Sequence, residues 1–237
     1  MSQLPAWPRL TLASGPVDVP IETLRGMQRP SLYHYDPLFI EIFADTNALL
    51  ASAFRTSYDT VIMQAEAVLG LEAAAASLIA PGDTVLNLVS GVFGKGFEGW
   101  IRAYGGEVIE LAVPYNEAID PEDVRRVLAS HPEINYLSVV HSETPSGTVN
   151  PVQEIGAIAH EFGVLTIVDT VSGWLSEDLS PEEWGIDVAV AGPQKCLAST
   201  AGLSLMTISP AAWAAMEARE KPLRGTFLSL LDWRTSW

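Results

Sequence analysis

Short apolar runs alternate with longer amphipathic stretches through most of the chain. Three runs in the second half set the pattern, at residues 164–168, 186–191 and 203–208. Each is rich in β-branched residues and bounded by Gly, Pro, Ser or Asp, the pattern of buried strands. The same pattern predicts strands at 60–63, 84–89, 107–113 and 134–140. Between them apolar residues recur at helical spacing, predicting helices at 68–79, 97–104, 121–130, 151–162 and 210–219. Asp120 fits an N-cap, and Pro81-Gly82-Asp83 a helix stop. Upstream, residues 10–20 read as an extended lead-in with a turn at Gly15-Pro16, and 21–27 as a short helix. Residues 37–54 carry Leu38, Ile42, Leu49 and Phe54 at the spacing of an amphipathic helix. Residues 90–94 read as a Gly-rich turn, 141–147 as a run of turn formers, and 222–237 as a tail. Alternation of strand and helix from 60 to 219 predicts an α/β fold: a mostly parallel sheet sandwiched by helices. No repeat or low-complexity segment interrupts it, and no GxGxxG follows a strand, so a nicotinamide-binding reading has little support.

Composition narrows the partners more than the fold. The 237 residues suffice for one substantial core, and 48% hydrophobic with 18% charged residues is a globular balance. A net charge of −16 argues against nucleic acid and anionic membranes, which require basic surface. It says little about the substrate, because a site can be locally basic. No run approaches the roughly 20 apolar residues that span a bilayer. The opening MSQLPAWPRL has no basic start followed by an apolar core, so no leader is expected. Cys196 is the single cysteine; it permits no internal disulfide, fits a reducing cytoplasm, and reads as a small buried filler. The four histidines (His34, His131, His141, His160) show no paired spacing, so no metal site is expected.

The chemistry concentrates near the strands at 164–168 and 186–191. Asp169 closes the first, and Lys195 follows the second after Gly192-Pro193-Gln194. Ligands of open α/β sheets bind at the carboxyl ends of the strands, so both side chains face one crevice. A lysine amine can form a Schiff base with an aldehyde, and a carboxylate beside a pyridine nitrogen keeps that nitrogen protonated. Lys195 would then carry the aldehyde and Asp169 the ring nitrogen. A surface lysine and a loop-capping aspartate are the ordinary alternative. Lysine is scarce, however: only Lys95, Lys195 and Lys221 occur, and Lys195 has an uncharged neighbourhood that favours a neutral amine.

The segments VDTVSGW and AGPQKCL resemble the cofactor-binding aspartate and Schiff-base lysine segments of fold-type I, class V aminotransferases, in the alanine–glyoxylate and serine–glyoxylate group. AEAVLGLEAAAASLIAPGDTVLNLVSGVFGKGF, VPYNEAIDP, HSETPSGTVNP and LSLLDW extend the resemblance over nearly the whole chain. They point to the branch of that family that handles unphosphorylated pyridoxal and pyridoxamine as substrates. The resemblance implies that residues 1–237 are a fold-type I large domain with an N-terminal segment over about 1–58, lacking the C-terminal small domain. It implies a homodimer, an amine and a 2-oxo acid as substrates, and pyridoxal phosphate or the unphosphorylated ring as cofactor or substrate. The family's carboxylate-binding arginine lies in a later region, and none of the ten arginines here matches it.

Residues 65–68 fall where a strand, a tight turn and a helix start expose free N–H groups, an anion site. Glu66 stands there. As a cap it is worth about 0.5–1 kcal/mol. Against a phosphate it would be repulsive by roughly 4 kcal/mol per charge pair at about 4 Å and an effective dielectric of about 20. The resemblance places Glu66, with Ala67 and Val68, at the 5′ end of the ring. It further implies Phe93 stacked on the ring, Val171 against the opposite face, Thr144 at the phenolic oxygen and Gln194 on the phosphate side of relatives. The expected reaction is transfer of an amino group from pyridoxamine to pyruvate, giving pyridoxal and L-alanine. The alternatives are an alanine– or serine–glyoxylate aminotransferase using bound pyridoxal phosphate, and an inactive remnant that only binds.

Overall fold

The structure is a computed structural model that describes residues 11–236. The reading of MSQLPAWPRL therefore lies outside the described residues. In chain order the elements are α1 (Ile21–Met27), α2 (Pro37–Phe54), β1 (Asp59–Met63), α3 (Ala67–Leu78), β2 (Thr84–Val89), α4 (Val92–Ala103) and β3 (Glu107–Ala112). Then come α5 (Pro121–Ser130), β4 (Ile134–Val140), β5 (Ser142–Glu143), β6 (Thr148–Val149), α6 (Val152–Glu161) and β7 (Leu165–Asp169). The last are α7 (Pro181–Trp184), β8 (Val188–Ala191), β9 (Ser204–Ile208), α8 (Pro210–Ala218) and α9 (Leu230–Ser236).

Seven strands form one sheet in the order β1-β9-β8-β7-β4-β2-β3. From β8 to β3 every pair is parallel; β9 runs antiparallel to both β8 and β1. The reversal has a local cause. Parallel neighbours need a crossover, usually helical, whereas β8 and β9 are joined by a loop without a helix, which turns the chain back. That loop carries Lys195.

Alternate strand residues feed two cores. Leu88, Leu137, Val139, Val168 and Leu205 pack with Val124 and Leu128 of α5 and Ile155 of α6. Val85, Ile167, Val190 and Met206 pack on the other face with α3, α8 and α9. In α3 nine residues are buried, among them Gly70 and four consecutive alanines. A Cβ on Gly70 would come within 2.8 Å of the Ser204 Cβ, so small residues let this helix lie directly on β8 and β9.

Several local expectations change. The helix predicted at 97 begins at Val92, so Gly94, Gly96 and Gly99 lie inside it. Glycine lowers helix propensity by about 1 kcal/mol, and tertiary bonds to the first turn, described below, override it. The run of turn formers holds the β5–β6 hairpin, and the tail contains α9, whose Leu230 and Leu231 are buried. In α2, Leu38, Ile42 and Leu49 are exposed; only Leu50 and Phe54 are buried, and Phe54 stacks on Trp174 at 4.7 Å. With 18 residues and a mean hydropathy of 1.2, α2 is also long and apolar enough to cross a bilayer by length and composition alone, contrary to the sequence expectation. It nonetheless carries Glu41 and Asp45, and its last turn is anchored in the sheet core. Cys196 is exposed rather than a buried filler, because it lies in the β8–β9 loop beyond the end of the core strand.

Candidate active site

A cavity of about 440 Å³ opens where the parallel strands end. β7 delivers Asp169 as its last residue, and the loop after β8 delivers Gln194 and Lys195. Glu66, Val68, Phe93 and Val171 complete the sequence-predicted part of the wall. Of the nine residues singled out in the sequence, Ala67 and Thr144 are not in it. Ala67 is fully buried as the first residue of α3, and Thr144 is half-buried in the β5–β6 turn. Their positions in the chain place them near strand ends, but the hydroxyls in the wall are those of Ser138 on β4 and Ser142 on β5. Among the described residues the wall holds no arginine and no second lysine; Lys95 is tied to Glu98 and Glu110, each at 2.6 Å.

Lys195 is packed by the lead-in segment. Val17 N–H donates to the Gln194 carbonyl at 3.0 Å, and Pro16 reaches the wall. Gly15, at φ +141°, lies so close that a Cβ there would overlap Lys195 Cδ and come within 2.9 Å of its Nζ. The Gly-Pro turn read from the sequence thus sits directly on the amine.

Asp169 accepts from Val171 N–H at 2.9 Å. Burial pushes its carboxyl up to about 6; the charges of Glu143 and Glu66 push the same way, while the Val171 N–H and Lys195 oppose them. Glu66 caps α3 with its own side chain, one oxygen accepting from Val68 N–H at 3.0 Å. Its other oxygen accepts from Gln194 Nε2 at 2.5 Å. Ser204 Oγ donates to the carbonyls of Ala65 and Glu66, at 3.1 and 2.9 Å, which fixes the turn. The anion site at the start of α3 is therefore filled by a carboxylate of the same chain. Gln194 Oε1 is buried without a hydrogen-bond partner among the described residues.

Phe93 lies in the first turn of α4 and is half exposed, its ring open to the cavity. Apolar Val68, Val92, Phe97 and Trp100 line the same cavity. Sequence reasoning missed Asn87, Ser138 and the buried Glu143 that support this turn. An acid inside a run of turn formers, HSETPSG, was the available signal for the last of them.

An amine and a part-buried carboxylate line one apolar cavity at the ends of adjacent parallel strands, the residue types that pyridoxal chemistry uses. The family model described as "Aminotransferase class-V" matches residues 22–227. The chain belongs to the class-V aminotransferase family. It is 47% identical over 230 residues to a pyridoxamine–pyruvate transaminase of Mesorhizobium japonicum, covering 97% of this chain and 58% of that protein. The crystal structure of pyridoxamine–pyruvate aminotransferase from Mesorhizobium loti superposes with a TM-score of 0.94 at 47% identity, over 98% of this chain and 59% of that one. An alanine–glyoxylate aminotransferase from Nostoc sp. gives 0.93 at 28% identity, over the whole of this chain and 64% of its own. The chain thus spans a little under three fifths of the length of the curated relative it matches.

Proposed function

We propose that this chain is the large-domain portion, with residues up to about 58 as its N-terminal segment, of an aminotransferase working on the unphosphorylated ring. Pyridoxamine and pyruvate would be converted to pyridoxal and L-alanine. The observation that carries this reading is Glu66: its carboxylate occupies the N-terminus of α3 and is held there by Val68 N–H and Gln194 Nε2. A phosphate arriving at that point meets a negative charge and amides already bonded. A neutral hydroxymethyl group meets acceptors instead.

The remaining wall fits the ring itself. When bound, pyridoxal supplies an aldehyde that an amine can take up and a protonated ring nitrogen that withdraws electrons from the reacting carbon. Lys195 is the only amine in the described wall. It would take up the aldehyde and, when free, would hold and return a proton as the base and acid of the site. Asp169 would hold the ring nitrogen as its carboxylate partner. Phe93 and Val171 line the cavity and would cover the two faces of the ring, and Ser138 and Ser142 offer hydroxyls in the wall. Gly15 and Pro16 lie against the Lys195 side and would help to shield it from water. We place the site in a homodimer, with the exposed apolar face of α2 as a contributor to the subunit contact.

The test is an absorbance titration with pyridoxal and, separately, pyridoxal phosphate, comparing wild type with Lys195→Ala. A Lys195-dependent band near about 400–430 nm is expected with pyridoxal, and weak binding of the phosphate. Tight binding of the phosphate would overturn the Glu66 argument and restore the glyoxylate reading. No band with either ligand in a folded chain would leave only a binding role.

A further inference from the structure

Glu143 is a buried carboxylate that the reading above leaves without a role. It is 1% exposed, sits on β5 and is not part of the cavity wall. Its carboxyl reaches the first turn of α4, where one oxygen accepts from Gly94 N–H at 2.7 Å and the other from Phe93 N–H at 3.3 Å. These are free donors of a helix start. The N-cap of α4 is Gly91, which has no side chain to satisfy them. Glycine is required there, because a Cβ would overlap the Glu143 carboxyl. The same turn is held from the sheet: Asn87 Nδ2 donates to the Gly94 carbonyl at 3.0 Å, and Ser138 Oγ donates to Asn87 Oδ1 at 2.7 Å. Phe93 is thus carried by a turn whose neighbours Gly91, Gly94 and Gly96 are costly to order, and which other elements pin on both sides.

Glu143 also acts on Asp169 through its charge. Burial is the main cause of the raised Asp169 carboxyl; the Val171 N–H opposes it, Glu143 from β5 then adds to the rise, Lys195 from the β8–β9 loop opposes, and Glu66 from the start of α3 adds the least. His141, bonded through Nδ1 to Thr170 beside Asp169 at 3.3 Å, is kept neutral near pH 7 because burial lowers it to about 4. Three carboxylates against one amine make the site favour a cationic ring.

We propose that Glu143 is a positioning residue for the ring: its carboxylate fixes the first turn of α4, and so the Phe93 face, and its charge favours a protonated ring nitrogen beside Asp169. The proposal rests on the ring-binding reading above, and its test can fail independently of it.

Wild type is compared with Glu143→Gln and Glu143→Asp. Two quantities are read: the midpoint of the Asp169 carboxyl titration in the ligand-free chain, by carbon-13 NMR, and the Kd for pyridoxamine near neutral pH, by tryptophan fluorescence. Glu143→Gln is expected to lower the midpoint and weaken pyridoxamine roughly tenfold, since it removes a charge-assisted pair of hydrogen bonds and a favourable field. Glu143→Asp keeps the charge but shortens the reach, so the midpoint stays near the wild-type value while affinity falls. A residue that only caps the helix would lower the melting temperature and leave midpoint and Kd unchanged in the folded variants; that result overturns the proposal. If Glu143→Gln does not fold, Glu143→Asp decides alone, and unchanged affinity overturns it. Wild type that fails to bind pyridoxamine overturns the ring-binding reading and this proposal with it. Binding by wild type that both variants match overturns this proposal alone.

Discussion

Asp169 and His141 are neighbours whose burial pulls stability in opposite directions with pH. The Asp169 carboxyl is held up at about 6 against 3.8, chiefly by burial, so the folded chain binds that proton more tightly than the unfolded one. Its destabilising effect is absent below about pH 4, grows as pH rises to about 6, and is complete above that at about 3 kcal/mol at most. Burial holds His141 down at about 4 against 6.5, so stability from this residue rises with pH across that interval. The two slopes oppose each other between about pH 4 and 6. Asp169→Asn removes one of them. The variant is expected to be more stable than wild type near pH 7, to gain stability steeply up to about pH 6.5, and to lose pyridoxal uptake. Urea unfolding at a series of pH values measures this; a variant no more stable than wild type at neutral pH would refute the desolvated carboxylate. Glu66 gives the matching specificity prediction. Glu66→Ser removes the charge at the start of α3 while keeping a capping hydroxyl, so the ratio of pyridoxal phosphate to pyridoxal affinity should rise at least about tenfold. Competition titration reads that ratio, and an unchanged ratio would sink the role given to Glu66.

Single elements bring these residues together by close approach. α3 reaches the sheet because its buried face is alanine and glycine, which puts Glu66 beside Gln194. α4 starts at Val92 because Glu143 and Asn87 satisfy a glycine-rich turn from outside the helix. The lead-in segment approaches Lys195 through Gly15, whose φ of +141° is unfavourable for any other residue. Gly15→Ala is expected to keep the folded core, since residues 11–20 contribute nothing buried to it, and to displace either the segment or the Lys195 amine. Circular dichroism should therefore show a near-native melt while the Lys195-dependent absorbance band is reduced. A full band in a folded variant would mean that the segment does not constrain the lysine.

At the scale of the molecule the sheet is buried on both faces, yet α2 shows Leu38, Ile40, Ile42 and Leu49 to solvent, each close to or more than half exposed. Such a face accords with the proposed homodimer, and the net charge of −16 opposes it by self-repulsion. Association should therefore strengthen as salt screens the charge, and Ile42→Glu with Leu49→Glu should abolish it. Sedimentation velocity at low and high salt checks both; association indifferent to these substitutions would place the contact elsewhere. Strand and helix order, the α/β class and the Asp169–Lys195 pair were legible in the chain, because strand periodicity, buried apolar runs and residues at strand ends are local facts. Glu66 at the start of α3 was legible for the same reason, being a property of a turn and its own helix. The reversed β9, the early start of α4, the exposed Cys196 and the place of Thr144 outside the wall were not. Nor was Glu143, which reads as one more turn residue until β5 is folded back against α4. The start of α4 and the place of Glu143 depend on elements that touch across many residues of sequence, as Glu143 meets Gly94 across 49 and Gln194 meets Glu66 across 128. No local pattern encodes such a contact, because it exists only once the sheet has set the distance between the two segments.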